Sequence, residues 1–268
     1  MPMTNSPVTP QFNRGIHKNI SPNAKNSWMI AFAGMPGEGA NYQDLLKTLA
    51  VFAMIIDHLG LYLFPDINEL RIIGRYAMPI FVFFAGYNFK NIINLSVLFA
   101  GSLTCIISDV FIYHSFFEAN ILIPIFLGQI YLYLFRDHFK NLSKGYLHFV
   151  VLASLWPFTS KLFDYGTLTM AGMVIGYMCK QKALNIRLGA FVVAFISLLH
   201  TVTVFSNFDN KEFFFSVLVA GIVYLSVNYS NFEKNIGLNL RMISRHSMLI
   251  YCVHLLIIEF IWRYYIIS

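Results

Sequence analysis

Charge is scarce in this sequence. Asp, Glu, Lys and Arg make up 12% of its 268 residues, against 57% hydrophobic residues. A soluble domain carries about 25% charged residues, so charge this sparse cannot cover a water-facing surface, and lipid must solvate most of the chain. Cysteine is scarce too. Cys105, Cys179 and Cys252 each lie inside an apolar run, without CxxC spacing or a nearby ligand cluster. That pattern leaves no disulfide framework and no expected metal site, only inert buried thiols. HExxH, Walker A and GxSxG motifs are absent, and no internal repeat is visible, which weakens a transporter reading. The net charge of +6 is distributed over short loops, where it orients a membrane chain. No basic patch survives outside those loops, which argues against a nucleic-acid partner.

What is present falls into two parts. Residues 1–42 form a polar segment rich in Pro, Asn, Ser and Gly, with Trp28 to Ala33 as its only apolar patch. That composition predicts a disordered cytoplasmic tail, not a secretory signal. Residues 43–268 form a membrane domain. Its hydrophobic runs, at 45–64, 72–89, 92–112, 119–135, 146–159, 166–180, 186–205, 213–229 and 247–267, predict an all-α polytopic protein with about nine transmembrane helices in one bundle. The short runs 146–159 and 166–180 fit either two thin spans or one re-entrant pair. Charge tests the count. With the N-terminus inside, only Arg71, Arg75, Lys161, Lys211 and Arg263 fall on the outer side, and all the rest of the 19 Lys and Arg residues fall on the inner side. The positive-inside rule therefore predicts a cytoplasmic N-terminus and an extracytoplasmic C-terminus.

Ionisable residues inside apolar spans are costly unless paired or hydrated, so they mark candidate sites. Three clusters qualify. Asp57-His58 lies about two-thirds of the way across the first run, counted at 1.5 Å per residue. Lys47 projects from the same helix face as His58, nearer the inner mouth. Arg71 and Arg75 open the second run. A short loop, Pro65 to Leu70, makes the first two helices antiparallel neighbours, so Arg75 matches the depth of His58. Gly74 permits close helix approach, and Pro79 is expected to kink the second helix. In the last run, Ser247, Tyr251 and His254 share one face, and Glu259 and Arg263 are spaced for an intrahelical pair. His17, His114, His138, His148 and His200 lie in the tail or near span ends and read as interfacial. Asp109 and Glu118 bracket an outer loop.

The stretch DLLKTLAVFAMIIDHLGLYLFPDINELRIIGRYAMPIFVFFAGYNF resembles the TraX family. Lys47, Asp57-His58, Gly74-Arg75, Pro79-Ile80-Phe81 and Tyr87-Asn88-Phe89 follow in that family's order. The ending SRHSMLIYCVHLL resembles the family's last helix and that of the broader membrane acyltransferase superfamily, which includes acyltransferase family 3. The resemblance is sharp over residues 43–91 and moderate over 241–260; between them only hydropathy matches. The long polar tail departs from the family.

The resemblance implies an acetyltransferase with acetyl-CoA as donor, and a conjugative pilin N-terminus or another extracytoplasmic acceptor. His58 is then the general base or a transient acetyl carrier, with Tyr251 and His254 completing the site. Arg75 serves the donor phosphate or the oxyanion, and Lys47 a donor phosphate. Neighbours on a helix diverge by about 100°, so Asp57 is expected to pair with Arg75 or His254 and not with His58. One geometric tension follows: the donor is cytosolic, while His58 lies in the outer half. The rival reading is a non-enzymatic permease or assembly factor whose Asp, His and Arg relay protons.

Overall fold

The computed structural model describes residues 41–108, 120–163, 165–204, 210–229 and 240–266. The tail up to residue 40, and Asp109, His114 and Glu118, lie outside them. The described chain is helical. Its helices are α1 (Tyr42–Tyr62), α2 (Asn68–Gly74), α3 (Ala77–Tyr87), α4 (Leu95–Ile107), α5 (Leu122–Phe135), α6 (Leu142–Thr159), α7 (Thr167–Lys180), α8 (Ile186–Val204), α9 (Asn210–Tyr229), α10 (Arg241–Arg245) and α11 (Ser247–Ile261). Each of the nine apolar runs carries a helix. Three stretches, Tyr42–Tyr62, Asn210–Asn228 and Ser247–Tyr264, are long and apolar enough to cross a membrane; Leu95–Ile107, Leu122–Phe135 and Ile186–Val202 are shorter apolar helices.

Exposed side chains include Phe52, Phe99, Phe158, Phe191 and Phe214. Large aromatic side chains exposed on several helices are stable in lipid and not in water, and with the apolar helices they mark a membrane protein. Of the cysteines only Cys179 is buried; Cys105 and Cys252 are half-buried, and none of the three forms a disulfide.

Local signals set the first helix. Asn41 caps α1: its side chain accepts from the Asp44 amide, and the Asp44 carboxylate accepts from the Asn41 amide, which satisfies two otherwise unpaired donors. The second run departs from expectation. It is broken at Arg75-Tyr76 into α2 and α3. Pro79 sits in the first turn of α3, where no intrahelical hydrogen bond is lost, so it helps start a helix and does not kink one. The break anchors Arg75, whose backbone carbonyl accepts from Ser197 on α8.

Helix α7 is the hub. It packs on α3, α5, α6 and α8 and is buried at nearly every position, although its 14 residues span only about 21 Å. Small residues make that packing possible. On α7, Gly172 and Gly176 form a GxxxG pair. A Cβ on Gly176 would sit 2.0 Å from the Phe83 carbonyl oxygen, and one on Gly86 of α3 would sit 1.9 Å from the Met173 carbonyl oxygen. Reciprocal contact of this kind lets two backbones touch in lipid, where burial of apolar surface supplies little drive.

The first and last helices run parallel. Thr48 bonds the Leu240 carbonyl, His58 meets His254, and Tyr62 donates to Glu259, so the contacts advance in step along both chains. Glu259 is buried while Arg263 is exposed, so the carboxylate turns inward to Tyr62 and not outward along its own helix. At the far end of α2, Asn68 bonds Glu212, and Lys211 pairs with Glu69, tying α2 to the start of α9.

Candidate active site

A cavity of about 770 Å³ opens between α1, α2, α3, α5, α6, α8 and α11. Its size falls within the usual 300–1,000 Å³ of small-molecule sites. Much of the wall is apolar, including Met54, Phe81, Ile125 and Met248. The polar groups come from segments far apart in sequence.

Asp57 and His58 both line the cavity but face different partners. Asp57 Oδ1 accepts from Arg71 Nε at 3.2 Å, and its Oδ2 lies 4.0 Å from Arg75 Nη1. Glycine makes this possible: a Cβ on Gly74 would sit 2.2 Å from the Asp57 Cβ, so α2 presses directly onto α1 there. The divergence of neighbouring residues thus separates Asp57 from His58 as expected, but the nearer cation is Arg71, not Arg75, and His254 binds His58 instead of Asp57.

His58 Nδ1 lies 2.7 Å from His254 Nε2, and His254 Nδ1 lies 2.6 Å from the Ile250 carbonyl oxygen. A carbonyl only accepts, so His254 Nδ1 carries a proton. In the neutral imidazole its Nε2 is then an acceptor, and His58 Nδ1 must donate to it. The chain of bonds leaves the lone pair of His58 on Nε2. Tyr251 packs beside both rings, with centroids 6.1 Å from His58 and 6.0 Å from His254. Ser247 and Tyr251 line the cavity from the same face of α11.

Arg75 is 5% exposed. It donates from Nη1 to the Tyr165 hydroxyl at 2.8 Å, and its guanidinium carbon lies 5.8 Å from the Tyr165 ring centroid. The Tyr165 ring lies 4.2 Å, centroid to centroid, from that of His200. His200 is buried and lines the cavity with Trp156. This corrects the interfacial reading of His200. Lys47 does not reach the cavity. It is 3% exposed, with Nζ 5.7 Å from the Phe84 ring centroid. His138 and His148 bond each other away from this cavity, with Tyr131 on His148. Among the described residues no cluster of His, Cys, Asp or Glu could hold a metal ion.

Sequence reading missed Tyr165 and His200 and left Arg71 without a role. The only available signal was their placement at the ends of apolar runs, which ordinary interfacial residues share.

Comparison with known proteins places these features in a family. The model of the family described as TraX protein matches residues 42–262. The chain is 40% identical over 233 residues to the uncharacterized protein RP591 of Rickettsia prowazekii (strain Madrid E), covering 84% of this chain and 93% of that protein. No solved structure matches. The family match spans most of the chain, from the capped start of α1 to the end of α11, and takes in the whole cavity: the chain belongs to the TraX family.

Proposed function

We propose that this chain is an integral membrane acetyltransferase that moves acetyl from acetyl-CoA to an amine or hydroxyl acceptor, and that its acceptor is linked to conjugation, as the N-terminus of a pilin would be. The reading includes kinship with the acyltransferase family 3 superfamily. One observation carries it: the bond to His254 leaves the lone pair of His58 on Nε2, and His58 lines a cavity whose negative charge, Asp57, is held by arginine.

Amide formation needs a base for the acceptor, stabilisation of charge on the thioester oxygen, and a proton for the departing thiolate. An acceptor amine in the cavity loses its proton to His58 Nε2 as its nitrogen bonds the acetyl carbon. The positive charge is shared along the bonds to His254 and the Ile250 carbonyl. The C–S bond breaks, and the thiolate takes the proton back from His58. Asp57 does not touch the base; it fixes Arg71 and Arg75 on the wall. The cavity is large enough for an acetyl-pantetheine arm. Of the two cations considered for the donor, Arg75 lines the cavity, where it can serve the thioester oxygen, and Lys47 does not.

Topology belongs to the same proposal: nine spans, N-terminus cytoplasmic, C-terminus extracytoplasmic, in the inner membrane. Parallel first and last helices support an odd number of spans, because an even number would set them antiparallel. Reporter fusions after Lys144, Lys182 and Arg245 are expected to read cytoplasmic, and one after Ser268 extracytoplasmic. A cytoplasmic reading at Ser268 would overturn the count.

The activity is tested by giving purified protein labelled acetyl-CoA and membranes from a conjugating strain. Transfer of label to a membrane acceptor, or slow release of acetate without one, is the expected result. Proton-coupled uptake into vesicles with neither would favour a permease.

A further inference from the structure

The turn between α6 and α7 carries strained backbone in the cavity wall. Tyr165 has φ of +61°, and Gly166 follows at +49°. Glycine takes such angles without cost, but a bulky aromatic in the left-handed region is an outlier that surrounding structure must hold in place. Here it is held. The Thr167 amide donates to Thr159 Oγ1 at 2.9 Å, and the Thr167 hydroxyl donates to the Leu152 carbonyl at 2.6 Å. These bonds pin the base of the turn to the end of α6. The Gly166 amide closes the turn on the Phe163 carbonyl. The result drives the Tyr165 ring between His200 and Arg75, with its hydroxyl oxygen receiving an Arg75 N–H at 2.8 Å.

A different residue in a relaxed turn would close this loop at lower cost, so the strain points to what the tyrosine does. A phenol oxygen that accepts from a guanidinium becomes a stronger O–H donor, because the cation pulls electron density from the oxygen. Arg75 by itself is broken away from α3 and anchored through its own carbonyl, so it is placed to back the phenol. Tyr165, unlike His254, belongs to the cavity lining.

We infer that Tyr165 is a catalytic residue of the proposed acetyl transfer, giving its O–H as a hydrogen bond to the thioester oxygen, with Arg75 as its positioning residue. The inference rests on the acetyltransferase reading above. As the acceptor nitrogen bonds to the acetyl carbon, the carbonyl electron pair moves to oxygen, and the Tyr165 hydroxyl shortens its bond to that oxyanion without losing its proton. The pair returns to re-form C=O as the C–S bond breaks. The proton balance stays with His58, as before. His58 and Tyr165 thus divide the chemistry: one handles the proton and the other handles charge on oxygen.

The test is Tyr165→Phe in the full chain, which keeps the ring, its stacking on His200 and the turn. Single-turnover acetylation is expected to fall by about 10² to 10³, the range for removing one oxyanion donor, with KM for acetyl-CoA changed by less than about threefold. The melting temperature in detergent is expected to fall modestly, because Arg75 Nη1 loses its acceptor, so the kinetics are read well below the variant's melting temperature. Arg75→Lys, which keeps the charge but loses the planar fork, is expected to show the same kcat-only loss to a smaller degree. Undiminished transfer by Tyr165→Phe would overturn the inference. So would a loss confined to KM, which would assign the hydroxyl to binding, or full activity once the assay is run well below the variant's melting temperature, which would assign it to structure. Failure of the underlying reading looks different, since the wild-type protein would then move no acetyl at all.

Discussion

His58→Gln is expected to lose acetyl transfer by about 10² to 10⁴, the contribution typical of a general base, while its melting temperature stays near the wild-type value. The pairing geometry gives the reason. His58 Nδ1 donates to His254 Nε2 across 2.7 Å, and a glutamine amide can donate in its place, so the contact between α1 and α11 survives. The amide cannot take a proton, so the basic Nε2 has no replacement. His58→Ala is expected to lose as much activity and also stability, because His254 Nε2 is left facing a gap between the helices. His254→Gln separates proton uptake from ring orientation. Its carbonyl can accept from His58 Nδ1 and hold the tautomer, but it cannot share the imidazolium charge, so a loss of about tenfold is expected, below the 10² to 10⁴ of the base itself. Radiolabel transfer and thermal melting, measured together on all three variants, decide the matter. A fully active His58→Gln protein would remove His58 from the base role and leave it as packing.

Gly176→Ala is expected to break the fold at its centre. The added Cβ would meet the Phe83 carbonyl oxygen at 2.0 Å and the Tyr87 amide nitrogen at 2.9 Å. Both are backbone atoms and cannot rotate away, so α3 and α7 must part. Overpacking of a tight core costs roughly 1–3 kcal/mol and sometimes more, and here the displaced helix α3 carries Met78 and Phe81 of the cavity wall. Activity should therefore fall together with melting temperature, unlike the pattern for His58→Gln. Gly221→Ala is the control. Nothing lies within 4 Å of a Cβ there, so the protein should be as stable as before or slightly more so, by up to about 1 kcal/mol from helix propensity. A stable, active Gly176→Ala protein would show that α3 and α7 do not need the observed contact.

Residue types alone mark a helical membrane protein, because sparse charge sends the chain into lipid and continuous apolar runs, unlike the alternating pattern of a barrel, satisfy their backbone as helices. The sequence also exposed Asp57, His58, Arg75, Tyr251 and His254, since a polar residue within an apolar run is conspicuous whatever packs against it. Helical spacing separated Asp57 from His58 correctly, because that angle is local. The partners were not local. His58 and His254 are 196 residues apart, and no periodicity in either run says which ring nitrogen meets which. Arg71 took Asp57 because Gly74 lets α2 press onto α1, a contact made across two helices. His200 and Tyr165 stand near run ends, where an aromatic or a histidine at a membrane surface is ordinary; the positive φ of Tyr165 and its bond to Arg75 exist only once α2, α6, α7 and α8 are assembled. Lys47 looked accessible along its own helix and is buried, with the Phe84 ring of another helix beside it. Residue type and local spacing fix which groups are costly to place in lipid, while tertiary packing fixes which of them share a cavity, because that depends on the fit of helices remote in the chain.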